Sequence, residues 1–243
     1  MLDLIAEAKK LAIPPISNFF VGAVARGTSG NLYLGANFEF PGEALSFTVH
    51  AEQAAVVNAM AHGETGLDVL AVSAAPCGYC RQFLNELTTA STLQILIPDH
   101  PPALLSSLLP FAFGPADLGV TAALMSPQSH GLTLDAPDEL AAAALAAADA
   151  SYAPYSHAYA GVALRTRDGA IYRGSLAENA AYNPSMSPFE AAIVSLVITG
   201  GKSYADIAEA VLVEVKAAPV SQAGATRAVL ASIGDVPLRL IQI

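Results

Sequence analysis

The sequence predicts an α/β fold built twice over. Three observations carry this: strand-length apolar runs alternate with helix-period segments through the first half, the second half repeats the first at a constant offset, and turn-forming clusters punctuate both at matching places. Residues 19–25 and 32–38 are β-rich runs joined by Gly27-Thr28-Ser29-Gly30-Asn31, a hairpin-type connection. From 51 to 61 the spacing of Ala51, Ala54, Ala55, Asn58 and Ala61 is helical, and Gly63 is a stop. Residues 70–73 read as a buried strand, 78–87 as a helix and 93–97 as a second buried strand. Residues 126–134, with Pro127, Ser129 and Gly131, read as a linker between domains at 1–125 and 135–243. Beyond it, Asp135 is placed to cap a helix with Pro137 in its first turn, running through Leu140 and the alanine-rich stretch.

The repeat is specific. An offset of 139 lays Pro15 on Pro154, Ser17 on Ser156, Gly22 on Gly161, Arg26 on Arg165, Tyr33 on Tyr172, Gly35 on Gly174 and Glu39 on Glu178. Chance matches one or two glycines, not seven identities in one register, so the chain reads as a duplication. A one-residue gap after Glu178 then sets Glu190 opposite Glu52 and Pro188 opposite His50.

Composition narrows the function. Of 243 residues 53% are hydrophobic and 13% charged, and 11 Lys+Arg against 21 Asp+Glu leave a net charge of −10. Such a chain has the apolar content for a real core and lacks the signature of disorder. Lys9, Lys10, Lys202 and Lys216 form no basic stripe, so neither nucleic acid nor an anionic membrane is an expected partner. The longest Ala/Leu run, Leu140 to Ala148, is nine residues against the ~20 a bilayer span needs. Asp3 and Glu7 interrupt the N-terminal apolar positions, unlike a signal peptide, and a cytoplasmic protein is expected. The apolar excess then belongs in a core or against a second subunit.

Chemistry gathers at two helix starts. His50-Ala51-Glu52 precedes one helix, and Pro76-Cys77-Gly78-Tyr79-Cys80, which holds the only two cysteines, precedes another. Helix N-termini favour thiolates, and a His/Cys/Cys set leaves tetrahedral zinc one open position, as catalytic sites do. A thioredoxin-like redox pair would leave His50-Ala51-Glu52 unexplained. A closed structural zinc site lacks a fourth ligand, because His62, His100, His130 and His157 have no ligand-like spacing. Glu52 could merely complement the helix dipole, yet it lies two residues from His50, where a carboxylate that is not a ligand can move protons. H-x-E followed by P-C-x-x-C is the signature of zinc-dependent nucleobase deaminases.

With Arg81 after Cys80, the run Thr48-Val49-His50-Ala51-Glu52-Gln53, Phe19-Phe20-Val21-Gly22-Ala23, Gly35-Ala36-Asn37-Phe38-Glu39 and Phe111-Ala112-Phe113-Gly114-Pro115, the sequence resembles the cytidine deaminase family in its two-domain, homodimeric bacterial form. The second-half run Ala177-Glu178-Asn179-Ala180-Ala181-Tyr182-Asn183-Pro184 is similar to that form's C-terminal domain. The resemblance implies a three-layer α/β/α fold with two pseudo-repeated, mixed-sheet domains, the first catalytic and the second degenerate. It implies one zinc per chain on His50, Cys77 and Cys80, and Glu52 as proton shuttle. Cytidine and deoxycytidine would be hydrolysed to uridine, deoxyuridine and ammonia in pyrimidine salvage, with water activated at the metal. Asn37 and Glu39 become ribose contacts, and the Glu39 carboxylate would disfavour a phosphorylated sugar. Phe19 becomes the aromatic against the pyrimidine, although strand alternation could present Phe20 instead. Backbone groups at Ala51, Cys77 and Ala75 would read the base, and Phe113 would stand near a neighbouring active site. Arg81 would donate to a thiolate or face solvent. That form carries a small helical domain ahead of this region, so a shortened version is expected. The expected partners are a small nucleoside and a second copy of the chain. Two other readings stay open: a zinc deaminase of another aminated heterocycle, and a non-catalytic, zinc-stabilised binding protein.

The second half cannot perform this chemistry. It has no cysteine, and Leu176 stands opposite Asn37 and Ala158 opposite Phe19.

Overall fold

A computed structural model describes residues 1–243. The chain divides into two compact units. The first comprises Met1–Glu39, Thr48–Ser126 and Glu178–Ser185; the second comprises Phe40–Phe47, Pro127–Ala177 and Met186–Ile243. Each unit thus takes in one short segment from the other half of the sequence.

In the first unit the elements run α1 (Leu2–Lys9), β1 (Gly22–Gly27), β2 (Leu32–Ala36), α2 (Ala51–Ala61), β3 (Leu67–Val72), α3 (Gly78–Leu84), β4 (Gln94–Leu96), β5 (Ala103–Leu104) and α4 (Leu105–Leu108). The sheet order is β2-β1-β3-β4-β5. β1 is antiparallel to both neighbours, β3 and β4 are parallel, and β5 closes antiparallel. The central strands β1 and β3 are buried almost throughout, which is why their sequences read as continuous apolar runs.

Two glycines fix the layering. Gly22 pairs with Ala36 and Gly35 with Ala23, so the two glycines look to opposite faces. A Cβ at Gly22 would stand 2.6 Å from the Ile5 carbonyl of α1, and one at Gly35 would stand 2.1 Å from the Ala51 carbonyl of α2. The helices lie backbone-to-backbone on the two faces of one sheet, the expected α/β/α arrangement.

The second unit repeats this with α5 (Glu139–Asp149), β6 (Ala160–Thr166), β7 (Ile171–Ser175), α6 (Pro188–Val194), β8 (Ile207–Glu214), α7 (Ala223–Ile233) and β9 (Leu238–Gln242), in sheet order β7-β6-β8-β9. Gly161 meets Ala144 and Ala148 of α5, and Gly174 meets Pro188 and Ala192 of α6. Gly30 and Gly169 close the two hairpins at φ 90° and 89°, and Asn18 and His157 share the left-handed region at 53° and 55°.

The details correct the sequence reading in two places. α5 is capped by Asp138, whose carboxylate accepts the Ala141 N–H at 2.8 Å, rather than by Asp135. Matched glycine contacts set Pro188 opposite Ala51 and Ala192 opposite Ala55. His50 and Ser187 are the equivalent N-caps, with Gln53 and Glu190 at N3. Ser187 therefore replaces His50, and Phe189 replaces Glu52; the slip by one residue arose because two glutamates of different duty fell nearly into line. Residues 129–132 are part of the second unit, where the Asp149 carboxylate accepts from Ser129, His130 and Leu132. No helix is long and apolar enough to cross a membrane.

Candidate active site

The site is assembled at the N-termini of α2 and α3. An antiparallel bridge between Phe38 and Val49 leads the chain into His50, the N-cap of α2, in extended backbone. The Gln53 amide oxygen accepts the His50 N–H at 3.3 Å, satisfying a donor the helix cannot. Cys77 is the N-cap of α3, likewise in extended backbone, and Cys80 lies one turn inside it and fully buried.

His50 Nδ1 stands 3.5 Å from Cys77 Sγ and 3.2 Å from Cys80 Sγ, and all three donor atoms lie within 4.8 Å of one another. Zinc bonds of about 2.3 Å to sulfur and about 2.0 Å to nitrogen at tetrahedral angles put N···S at about 3.5 Å. The donor set fits the metal in type and spacing. It is the sole such cluster of His, Cys and acidic groups in the structure.

Electrostatics agree. The Cys80 hydrogen bond, the backbone N–H groups of Cys80 and Tyr79 and the His50 ring hold the Cys77 thiol down at about 5 despite burial. That same hydrogen bond, burial and nearby Glu52 push the Cys80 thiol upward. Burial raises the Glu52 carboxyl above the ordinary carboxylate range, against the pull of its own backbone N–H, His50 and Cys80. Glu52 is 4% exposed.

These residues open on a cavity of about 270 Å³ whose walls include Phe19, Asn37, Glu39, His50, Ala51, Glu52, Ala75 and Cys77. Phe19 lines it and Phe20 does not. Glu39 is buried and accepts from Ile16 N–H (2.8 Å), Ser17 N–H (3.0 Å) and Ser17 Oγ (2.5 Å). Burial would raise its carboxyl, but those donors hold it below the usual range, so it is an anion at the cavity wall. Asn37 accepts from Val21 N–H and donates to the Phe19 carbonyl, both at 2.9 Å, fixing the loop that carries Phe19.

Phe113, expected near a neighbouring site, lies outside this cavity and is 44% exposed, with its carbonyl accepting from Gln82 and Asn85. One expectation meets different surroundings. Arg81 neither reaches a thiolate nor faces solvent alone: Nε donates to the Pro76 carbonyl and Nη1 to that of Leu108, both at 2.8 Å, pinning the turn before Cys77. The sequence reading also missed Ser17, Val21, Thr48 and Ala74 as cavity walls. Ser17 had a signal, since it recurs with Glu39 as Ser156 with Glu178 in the repeat.

Comparison with known proteins gives a consistent result. Two family profiles, each described as the cytidine and deoxycytidylate deaminase zinc-binding region, match residues 1–95 and 105–227. The cytidine deaminase of Aeromonas hydrophila is 52% identical over 98% of this chain and 80% of its own length. That of Yersinia pestis is 51% identical over 95% of this chain and 78% of its own. Among solved structures, the Mycobacterium tuberculosis cytidine deaminase matches 47% of this chain and 94% of its own at 36% identity, with a TM-score of 0.43. A paired zinc-region profile, near-complete coverage by cytidine deaminases and a donor set spaced for zinc lead to one assignment: the chain belongs to the zinc-dependent cytidine deaminase family, in its two-domain bacterial form.

Proposed function

We propose that this chain hydrolyses cytidine and deoxycytidine to uridine and deoxyuridine with release of ammonia, in pyrimidine salvage. The observation that carries the reading is the buried Glu52 carboxyl beside the His50, Cys77 and Cys80 donors, in a cavity whose wall also bears the anionic Glu39. His50, Cys77 and Cys80 hold one zinc per chain. When bound, the metal is a Lewis acid that lowers the pKa of water from about 15.7 toward ~7.

Glu52 takes the proton that water gives up as its oxygen bonds to C4, and delivers it to ring N3. It then takes the remaining water-derived proton from the new C4 hydroxyl and passes it to the exocyclic amine, so that the C4–O bond becomes a carbonyl, the C4–N bond breaks and ammonia leaves. A carboxyl raised by burial suits both directions of transfer, because its proton affinity lies closer to neutrality. Glu39 has used three of the ~four lone-pair positions of a carboxylate, leaving one for a ribose hydroxyl. Asn37 holds the loop and turns its remaining amide hydrogen to the sugar. Phe19 covers the pyrimidine, while backbone groups at Ala51, Ala75 and Cys77 read its edge. A buried anion at the sugar end repels phosphate, so nucleosides are preferred over nucleotides.

Residues 1–125 are the catalytic domain, 126–134 the linker and 135–243 the non-catalytic copy. The working form is a homodimer in the cytoplasm, with Phe113 offered to the neighbouring site. Its exposure, and that of Phe111 beside it, supports this placement. The test is loss of absorbance with cytidine, deoxycytidine, CMP and cytosine side by side. Turnover of the two nucleosides well above CMP and cytosine is expected, and strong turnover of CMP contradicts the assignment at Glu39.

A further inference from the structure

The segment Glu178–Ser185 comes from the second half of the sequence but belongs to the first compact unit. It leaves and rejoins the second unit where Ala177 and Met186 bridge one another. Its contacts are concentrated on the two helices that present the zinc donors. The Pro184 carbonyl accepts from Gln53 Nε2 at 3.2 Å, and Gln53 is the residue whose Oε1 accepts the His50 N–H. The Asn183 carbonyl accepts from the Tyr79 hydroxyl at 2.8 Å. Tyr79 stands between the two cysteines, with its ring tilted against the His50 imidazole at 5.5 Å.

Two further residues of the segment hold α3 and the turn that follows it. Asn179 is fully buried, and its side chain donates to the Gln82 carbonyl at 3.0 Å and accepts from Gln82 Nε2 at 3.4 Å. The Ala180 N–H donates to the fully buried Glu86 carboxylate at 3.0 Å. The segment therefore grips the first turn of α2 and one side of α3 together. Those helix ends carry His50 on one side and Cys77 with Cys80 on the other.

We propose that residues 178–185 act as a latch that fixes the separation of the two donor-bearing helix ends, with Tyr79 and Asn179 as positioning residues for the zinc. The degenerate half, which holds no ligand, thereby sets how tightly the catalytic half keeps its metal. This rests on the reading of His50, Cys77 and Cys80 as the zinc site. Partners that orient metal ligands without touching the metal typically govern it by 10–100-fold in affinity, and the latch acts through such partners.

The test is zinc release from the full-length protein to a chromophoric chelator, with kcat and KM for cytidine measured alongside. Tyr79→Phe removes one hydroxyl and keeps the ring; Asn179→Ala removes the clasp on Gln82; Arg239→Ala, in the second unit, is the control. Release at least ~10-fold faster in Tyr79→Phe and Asn179→Ala is expected, with kcat lowered more than KM is raised and with Arg239→Ala unchanged. Because Asn179 is buried, Tyr79→Phe carries the conclusion should Asn179→Ala fail to fold. Release from Tyr79→Phe as slow as from the parent, where the parent holds zinc and deaminates cytidine, overturns the latch. A parent chain that holds no zinc overturns the underlying reading of the site instead, and the latch with it.

Discussion

Replacing Glu190 by Gln should remove one pH-dependent loss of stability from the second unit. Glu190 is buried in α6, where burial raises its carboxyl to about 7 from the ordinary 4.5, even though the Ser187 N–H and hydroxyl favour its charge. A carboxyl whose folded value is raised binds its proton more tightly in the folded state. Stability from keeping it protonated is whole below 4.5 and drains away as pH rises to about 7, after which the loss is constant. At ~1.36 kcal/mol per pH unit the interval corresponds to about 3 kcal/mol. Gln removes the titration and retains the cap, since its amide oxygen can accept the Ser187 N–H as Gln53 does from His50 at the matched position. Urea unfolding of both proteins at about pH 4.5 and about pH 8.5 measures this. The substitution should be near neutral at the lower pH and stabilising by about 3 kcal/mol at the higher. A gain under ~1 kcal/mol at high pH, or an equal effect at both, refutes the claim that the side chain is forced to ionise in a closed environment.

Two further outcomes follow from the same geometry. Gly35→Ala and Gly174→Ala both drive a Cβ to 2.1 Å from helix backbone, so each should cost about 1–3 kcal/mol in urea unfolding. Only Gly35→Ala displaces the helix that carries His50 and Glu52, so it alone should lower zinc content; equal zinc loss in both contradicts the seating of α2 as what places the donors. Glu39→Gln removes a charged acceptor from the sugar end and should raise KM for cytidine about 10–100-fold with a smaller change in kcat. Steady-state kinetics that move kcat alone would take Glu39 out of substrate binding.

Much of the fold was legible because its signals are local. Buried strand β3 is a bounded apolar run, α2 is an alanine-rich helix buried on all sides, and the hairpins end on glycines whose positive φ admits little else; of the expected buried strand at 93–97 only Gln94–Leu96 forms, with Ile95 buried and Gln94 exposed. The metal donors were legible because His-x-Glu and Cys-x-x-Cys sit at two strand-to-helix junctions, where chemistry is positioned by helix ends. What escaped is long-range. Nothing in residues 40–47 or 178–185 signals that each segment packs in the other unit, because Phe40 finds Phe189 and Tyr204, and Asn179 finds Gln82, only after the chain has folded. Arg81 was misplaced for the same reason, since the carbonyl of Leu108 is remote in sequence. The one-residue slip at α6 shows that two glutamates can align in letters while one caps a helix and the other faces a cavity.

The central claim is that Glu52 moves protons beside a zinc held by His50, Cys77 and Cys80. Its most direct test is Glu52→Gln assayed for zinc content and cytidine turnover in the same preparation. One zinc per chain should be retained, while kcat falls by about 10²–10⁴-fold, the range for loss of a positioned acid–base group. Turnover near that of the parent with the zinc in place would contradict it.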